Sequence, residues 1–551
     1  MKNIIIKIEN NRYEILESNG IQSSLIDNGT YFTLNFNDEL SMLDINSFLL
    51  NMKGIYIVQE NDEIRIFTDI FRTIPLYYYK ENEIIYLFTD FISIQKYSNF
   101  DKAIDEVGFW EYTLFGNGIY TRTIYKQVKQ FTAAGKLIIK NKNIIFDYYW
   151  DFSFHENKKY SKLKEDKVSQ LLKNKIEKSF EIEKIDKETN LTLGISGGMD
   201  SRLAFAIMKD LSLLKRTNFF TYGYDKRILE SKIAQKLVTS EGLKKWSFHE
   251  LNKESYQNGF TKFPHYSGGS ISSCHVHMYD FLESNNTENL ISTYYSDAVF
   301  GYATLKNKKD TTWKDVDYFK ILNNFHDIIP KDIQNNITKD IELSLKNYKN
   351  NSSYSSIDEY KYIVERNPKF HMNLLFLQYQ VTNKIFSPFA DYEILKFMFE
   401  IPSEYRYDKM LIRKVIFDID KKLIENNEDT SNQRVYFKKN FSSILNNLIS
   451  NKQTLSILSV KLINLFLFKL TKGKFYIFDK YATEIHSNIL KADFQKELDM
   501  ALQYFLNKNM TNNVFYEKMK IIPPYGSDTI IRFIIIDLYK LLNKGHNSET
   551  N

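Results

Sequence analysis

The sequence predicts an α/β protein in two parts, an antiparallel α+β domain followed by a doubly wound parallel sheet with many helices. Short apolar or alternating runs parted by Asn, Asp and Gly fill roughly the first 150 residues, the pattern of antiparallel strands. From about residue 190 strand-like apolar runs alternate with helical ones, as parallel βαβ units require. The length of 551 residues exceeds what a single hydrophobic core commonly serves, so two domains are expected.

In chain order, 4–8, 31–34, 54–59, 63–68, 76–79 and 84–89 read as strands, 105–114 as a helix, and 136–139 with 143–149 as a hairpin across a polar turn. Leu163, Val168, Leu171, Leu172, Ile176 and Phe180 then fall mostly three to five apart in a Lys/Glu-rich stretch, which makes an amphipathic helix. Domains at 1–155 and 186–545 follow, with 156–185 as the linking helix. Residues 191–195 form a short apolar run bounded by turn residues, a buried parallel strand. Residues 201–208 are good helix formers without Gly or Pro. Strands at 218–224 and 246–251 flank a helix at 229–238, and from about residue 316 the pattern is helical without a repeat. The tail after His546 is polar.

The totals exclude several classes. Lys+Arg 74 against Asp+Glu 68 leaves a net +6 spread along the chain, so no nucleic-acid partner is indicated. The single cysteine, Cys274, permits no intrachain disulfide and suits a reducing cytoplasm. The opening apolar run, Ile4 to Ile6, is broken by Lys7, and later apolar runs are also short. Neither a signal peptide nor a membrane span is expected.

Between the 191–195 strand and the following helix stands Ser196-Gly197-Gly198-Met199-Asp200-Ser201. Glycines at a strand end let backbone N–H groups crowd into a tight turn, and the helix aims its positive dipole end there. That is an anion cradle. A carboxylate beside phosphate makes sense when a divalent metal lies between them, so Asp200 marks a nucleotide-phosphate and Mg²⁺ site. No Gly-Lys-Ser/Thr closes the loop, so it is not of Walker type. A glycine-rich turn without a ligand is the alternative.

The loop resembles the Ser-Gly-Gly-x-Asp-Ser pyrophosphate loop of the adenine nucleotide α-hydrolases, which cleave ATP to AMP and pyrophosphate. Residues 68–78, 135–137, 148–151, 387–391 and 411–414 extend the likeness to the asparagine synthetase family. That resemblance implies an Ntn-hydrolase-like sandwich before an adenine nucleotide α-hydrolase-like domain, with ATP bound by Ser196, Gly197, Gly198, Asp200 and Ser201. The family's glutaminase cysteine, which would act as nucleophile after the initiator methionine, is here Lys2. The N-terminal domain then keeps a packing role, and glutamine is not the nitrogen donor. At 291–302 Asp297 matches the family's second metal ligand, while a family glutamate is replaced by Tyr294. Tyrosine there resembles β-lactam synthetase, which closes a ring through a Tyr/Lys pair, so Tyr294 would help deprotonate an attacking amine; an aromatic merely packed beside the sheet is the alternative. The lysine partner resembles Lys438, with Lys439 as its rival, stabilising charge on departing pyrophosphate.

Asp391 reads as a helix cap for 392–399. Cys274, His275 and His277 lack a fourth zinc ligand at sensible spacing. The resemblance implies an AMP-forming amide ligase using ATP and Mg²⁺, in which a substrate carboxylate is adenylated and an amine displaces AMP. Ring closure within a peptide or small molecule is expected, as in β-lactam synthetases and lasso-peptide cyclases, with a precursor peptide and a companion protease as possible partners. An ammonia-dependent asparagine synthetase and a catalytically inactive nucleotide-binding partner remain open.

Overall fold

The computed structural model describes residues 2–26, 28–34, 44–98, 100–180, 189–301, 312–348, 353–425, 463, 466, 467, 469–471, 486–522 and 528–543. The chain is mixed α/β, with two antiparallel sheets, a parallel sheet and many helices. It divides into two compact units, one of residues 1–162, 262–271 and 294–407, the other of 163–261, 272–293 and 408–551. The chain passes from the first unit to the second inside the 156–185 stretch read as the linking helix, but the first unit also takes in two later segments.

In the first unit, β1 (Asn3–Glu9), β2 (Arg12–Asn19), β7 (Tyr77–Glu81), β8 (Ile84–Phe88) and β9 (Val128–Gln130) form one sheet in the order β2-β1-β8-β7-β9. A second sheet runs β11-β10-β6-β5-β4-β3, from β3 (Gln22–Ile26), β4 (Gly29–Thr33), β5 (Gly54–Glu60), β6 (Glu63–Thr68), β10 (Gly135–Lys140) and β11 (Asn143–Tyr148). Asn10 and Asn11 turn β1 into β2 with φ of 52° and 55°, a left-handed pair that asparagine tolerates and two-residue hairpins need. Period-two alternation sorts the core. Tyr31, Tyr56, Val58 and Phe67 pack under Phe48 and Leu49 of the helix Ile45–Asn51, while Ile55, Ile57, Ile64 and Ile66 are fully buried on the other face. Phe131 stands edge-on between Tyr78 of one sheet and Phe146 of the other.

Strands β2, β3 and β9 and the helix Ile45–Asn51 were not legible. β2 and β3 are edge strands with mostly exposed or half-exposed side chains, so they carry no apolar alternation to read.

The first unit also holds a long helix that begins at Ile357, where the Ser356 side chain accepts the Glu359 N–H. It passes through a π-helical turn, Tyr362–Arg366, and continues as Asn367–Tyr379. The wide turn has a chemical cause. Asn367 N–H bonds back to the Tyr362 carbonyl, five residues earlier, and Pro368 has no N–H to continue the pattern. The Ile363 carbonyl so released accepts the Tyr295 hydroxyl at 2.6 Å. Asp391 does cap the helix Tyr392–Glu400, accepting the Ile394 N–H. A three-residue strand, Lys384–Phe386, interrupts the region read as wholly helical.

In the second unit, β12 (Leu191–Gly194), β13 (Thr217–Gly223), β14 (Trp246–Glu250) and β15 (Asn289–Ile291) lie parallel in the order β14-β13-β12-β15. Numbered from β12, this is 3-2-1-4, so the topology switches direction between the first strand and the fourth. Ligands of open parallel sheets bind beyond the carboxyl ends at such a point. The helix Met410–Ile419 packs against both Met199–Asp210 and Glu165–Ser179. Among the described residues no helix is long and apolar enough to cross a membrane.

Candidate functional site

The loop that the sequence singled out follows β12, at the switch point. Ser196 Oγ accepts the Gly198 N–H at 3.1 Å and meets Ser201 Oγ at 3.1 Å, while Ser201 Oγ accepts the Ser196 N–H at 3.1 Å. Arg202, buried beneath the loop, donates to the Gly197 carbonyl at 2.8 Å. Two serines and one arginine therefore fix the turn from within. Gly198 has φ −74° and ψ 165°, so left-handed freedom is not what it supplies. A Cβ there would meet only Ser196 Oγ, at 3.3 Å, and would otherwise project into open space at the start of the helix. Glycine keeps that approach clear. Among the described residues no side chain caps the helix Met199–Asp210, so its first-turn N–H groups suit an anionic ligand.

The turn opens on a cavity of about 150 Å³, lined by Ser196, Gly198, Asp200, Ser201, Thr221, Tyr222, Glu230, Met278 and Thr293 among others. That is below the few hundred Å³ of a pocket for a whole ligand and suits the phosphate end of one. Glu230, from the first turn of the helix Leu229–Ser240, hydrogen-bonds Ser196, and burial raises its carboxyl above the ordinary range. A larger depression of about 500 Å³ lies at the opposite, amino-terminal edge of the sheet beside Asn190, Asn218, Lys245 and Trp246. Parallel-sheet geometry does not favour that edge.

Asp200 is not solitary. Lys409 Nζ lies 2.7 Å from its Oδ1 and 2.6 Å from its Oδ2. Lys409 adopts φ 55° and ψ 35°, and its neighbour Asp408 has φ 52°. Left-handed backbone at a non-glycine residue costs on the order of 1–3 kcal/mol. A lysine at the start of the helix Met410–Ile419 also faces the positive end of a dipole. Arg413 holds the strained turn with a forked pair of bonds to Asp408, at 2.6 and 3.0 Å. Two unfavourable features are thus retained at one residue, and their common effect is to put an ammonium on both oxygens of Asp200.

The other expected residues gather in the first unit. Tyr295, fully buried at φ 76°, stands between Tyr294 and Asp297 with its ring edge-on to Phe71 and its hydroxyl on Ile363. Asp297 Oδ1 accepts the Ala298 N–H at 2.8 Å and Asn367 Nδ2 at 2.9 Å, with His371 Nδ1 3.5 Å away. Gly301 closes this segment at φ 111°, where a Cβ would fall 2.0 Å from the Arg406 carbonyl. Tyr294 stacks on His371 at 5.1 Å and takes a bond from Gln378 Nε2 at 2.8 Å. Burial pushes the Tyr294 phenol up to about 12, against the opposing effect of that bond. The phenol therefore holds its proton at neutral pH.

The structure brings Ser196, Gly197, Gly198, Asp200 and Ser201 into one turn, and gives Tyr294 and Asp297 a shared neighbour in His371. Asp200 belongs to the second unit and Asp297 to the first. Lys438 and Lys439 lie outside the described residues. Among the described residues no group of three or more His, Cys, Asp or Glu could hold a metal. Cys274 is buried and its thiol is pushed up to about 12 by burial. A nucleotide-borne Mg²⁺ asks for less, since one or two carboxylates serve it with phosphate oxygens and water. Asp200 fits that demand, for it already holds a cation.

Sequence reasoning missed Lys409, Glu230, Asn367, His371 and Gln378. Lys409 stands two residues before the 411–414 segment, outside it, and no local signal singled it out. Compared with known proteins, the chain matches no family model and no curated protein.

Proposed function

We propose that the protein is an ATP-dependent, AMP-forming amide ligase of the asparagine synthetase family, with an Ntn-hydrolase-like first domain and an adenine nucleotide α-hydrolase-like second one. The observation that carries the reading is the Asp200–Lys409 pair, held on strained backbone beside an uncapped helix and a serine-braced turn at the switch point of a 3-2-1-4 sheet.

In this reading Ser196, Ser201 and the first-turn N–H groups of Met199–Asp210 grip the phosphates. Asp200 would hold Mg²⁺, which when bound supplies positive charge to phosphate oxygens. A substrate carboxylate oxygen attacks the α-phosphorus of ATP, the bond to the bridging oxygen breaks, and its electron pair leaves with pyrophosphate. Lys409, fixed beside Asp200 by its left-handed backbone, stabilises that leaving charge from where it stands, a preorganised role. An amine then attacks the acyl carbon, the proton it loses passes to water, and AMP departs with the electron pair of the broken C–O bond. Tyr294, still protonated, orients the amine through its hydroxyl oxygen; its high pKa disfavours the role of base expected from the β-lactam synthetase resemblance.

The test is isotope exchange between pyrophosphate and ATP in the presence of Mg²⁺ and either L-aspartate or linear peptides carrying a free α-amine and an Asp or Glu side chain. Exchange with a peptide supports ring closure, and exchange with aspartate supports the ammonia-dependent synthetase. Absence of exchange with every acid overturns the ligase reading.

A further inference from the structure

A chain whose N-terminal domain lacks a nucleophilic cysteine still devotes its second residue to contacts with a distant helix. Lys2 Nζ donates to the Tyr379 carbonyl at 2.7 Å and to the Thr382 carbonyl, and it lies 3.9 Å above the Tyr379 ring. The Lys2 N–H donates to Gln380 Oε1 at 2.8 Å, and Gln380 Nε2 returns a bond to the Lys2 carbonyl at 3.0 Å. The Tyr379 hydroxyl reaches the Gly20 carbonyl at 2.8 Å. The last carbonyls of a helix lack intrahelical partners and carry the negative end of its dipole, so an ammonium there satisfies both.

The helix so capped has two polar faces. Glu365, Lys369 and Asn373, four apart, bond to residues of the first 130: Glu365 to the Tyr120 N–H, Lys369 to the Gly118 and Tyr120 carbonyls, and Asn373 to Arg72. Asn367, His371 and Gln378, spaced by four and seven, lie on another face and meet Asp297 and Tyr294. Gln378 is 1% exposed, and its Oε1 is buried without a hydrogen-bond partner among the described residues. The bond from its Nε2 aims it at Tyr294, and its direction depends on where the helix end lies. Thr382, whose carbonyl Lys2 holds, also donates its hydroxyl to the Gln378 carbonyl at 3.1 Å.

We propose that Lys2 is a positioning residue: by capping this helix it sets Gln378 against Tyr294, so the N-terminal domain contributes to the amine-transfer step through the helix. This rests on the ligase reading above. Lys2 stands where the family's glutaminases place their nucleophile, and here that place is given to a tether.

The experiment compares the wild-type chain with Lys2→Met and Lys2→Arg. The ¹³Cζ resonance of Tyr294, assigned by its loss in Tyr294→Phe, is recorded without substrate. Amide formation and pyrophosphate exchange are then measured with the same aspartate and peptide probes. Lys2→Met is expected to shift the Tyr294 resonance and to lower amide formation by about tenfold to a hundredfold relative to exchange, the scale of a misplaced reacting group. Lys2→Arg, which keeps the donors, restores both. An unmoved resonance in Lys2→Met overturns the proposal, as does an equal fall in exchange and amide formation. If the wild type exchanges with no acid, the ligase reading fails and the resonance alone still decides whether Lys2 sets Tyr294.

Discussion

Lys409→Met removes one positive charge and leaves the aliphatic stem. The ammonium now lies 2.6–2.7 Å from both oxygens of Asp200, and the ligase reading takes the phosphate charge to stand about 4 Å from it. Two unit charges at that distance interact by about 4 kcal/mol at an effective dielectric of about 20. Loss of one preorganised charge at a developing anion commonly costs ~10²–10³ in rate. Pyrophosphate exchange should therefore fall by about 10²–10³-fold. Stability should move little, because Lys409 and Asp200 are 18% and 27% exposed and partly solvated pairs contribute about 0–1 kcal/mol. Lys409→Gly sharpens the test: it relieves the left-handed backbone at φ 55°, worth about 1 kcal/mol of stability, while also removing the charge. Thermal unfolding and exchange assays on both variants should show stability held or raised and exchange lost. Exchange within threefold of wild type in Lys409→Met, or a Lys409→Gly protein that is markedly less stable, would refute the reasoning.

Other consequences follow from the same geometry. Asp537 is fully buried, accepting bonds from the Ser272 hydroxyl and from the N–H and hydroxyl of Ser273, and burial raises its carboxyl to about 7. The folded chain then binds more protons than the unfolded chain between about pH 4 and 7. The associated stability, about 4 kcal/mol, is present at the acid end and lost as pH rises through 7; Asp537→Asn should flatten that part of the profile of Tm against pH. Tyr294→Phe, which removes the oxygen that orients the amine, should lower amide formation about tenfold more than pyrophosphate exchange. With the phenol pushed up to about 12, the wild-type rate should show no tyrosine limb between pH 7 and 9. Asn367→Ala removes the 2.9 Å bond to the half-buried Asp297, and a loss of about 1–2 kcal/mol should appear in urea titrations.

What could be read beforehand followed from strong local signals. The 191–195 strand and its glycine loop stood out because a buried parallel strand is a near-continuous apolar run, and Asp391 because an N-cap acts within its own turn. The edge strands β2 and β3 did not, since exposed faces leave no alternation. Lys409 was hidden for a different reason: its meaning lies in a left-handed backbone and in a partner 209 residues away, neither of which composition or period encodes. The two faces of Asn367–Tyr379 were likewise hidden, because a helix buried all round shows no amphipathic stripe. The family resemblance put Lys2 at the place of a nucleophile, but nothing in the sequence showed it reaching Tyr379 and Thr382.

The most direct measurement follows oxygen. Wild-type protein is incubated with ATP, Mg²⁺ and the acid that supports exchange, its carboxylate labelled with ¹⁸O, and the phosphorus products are resolved by ³¹P NMR and mass spectrometry. Pyrophosphate and AMP are expected, with one ¹⁸O in the AMP; ADP with ¹⁸O-labelled orthophosphate would contradict attack on the α-phosphorus.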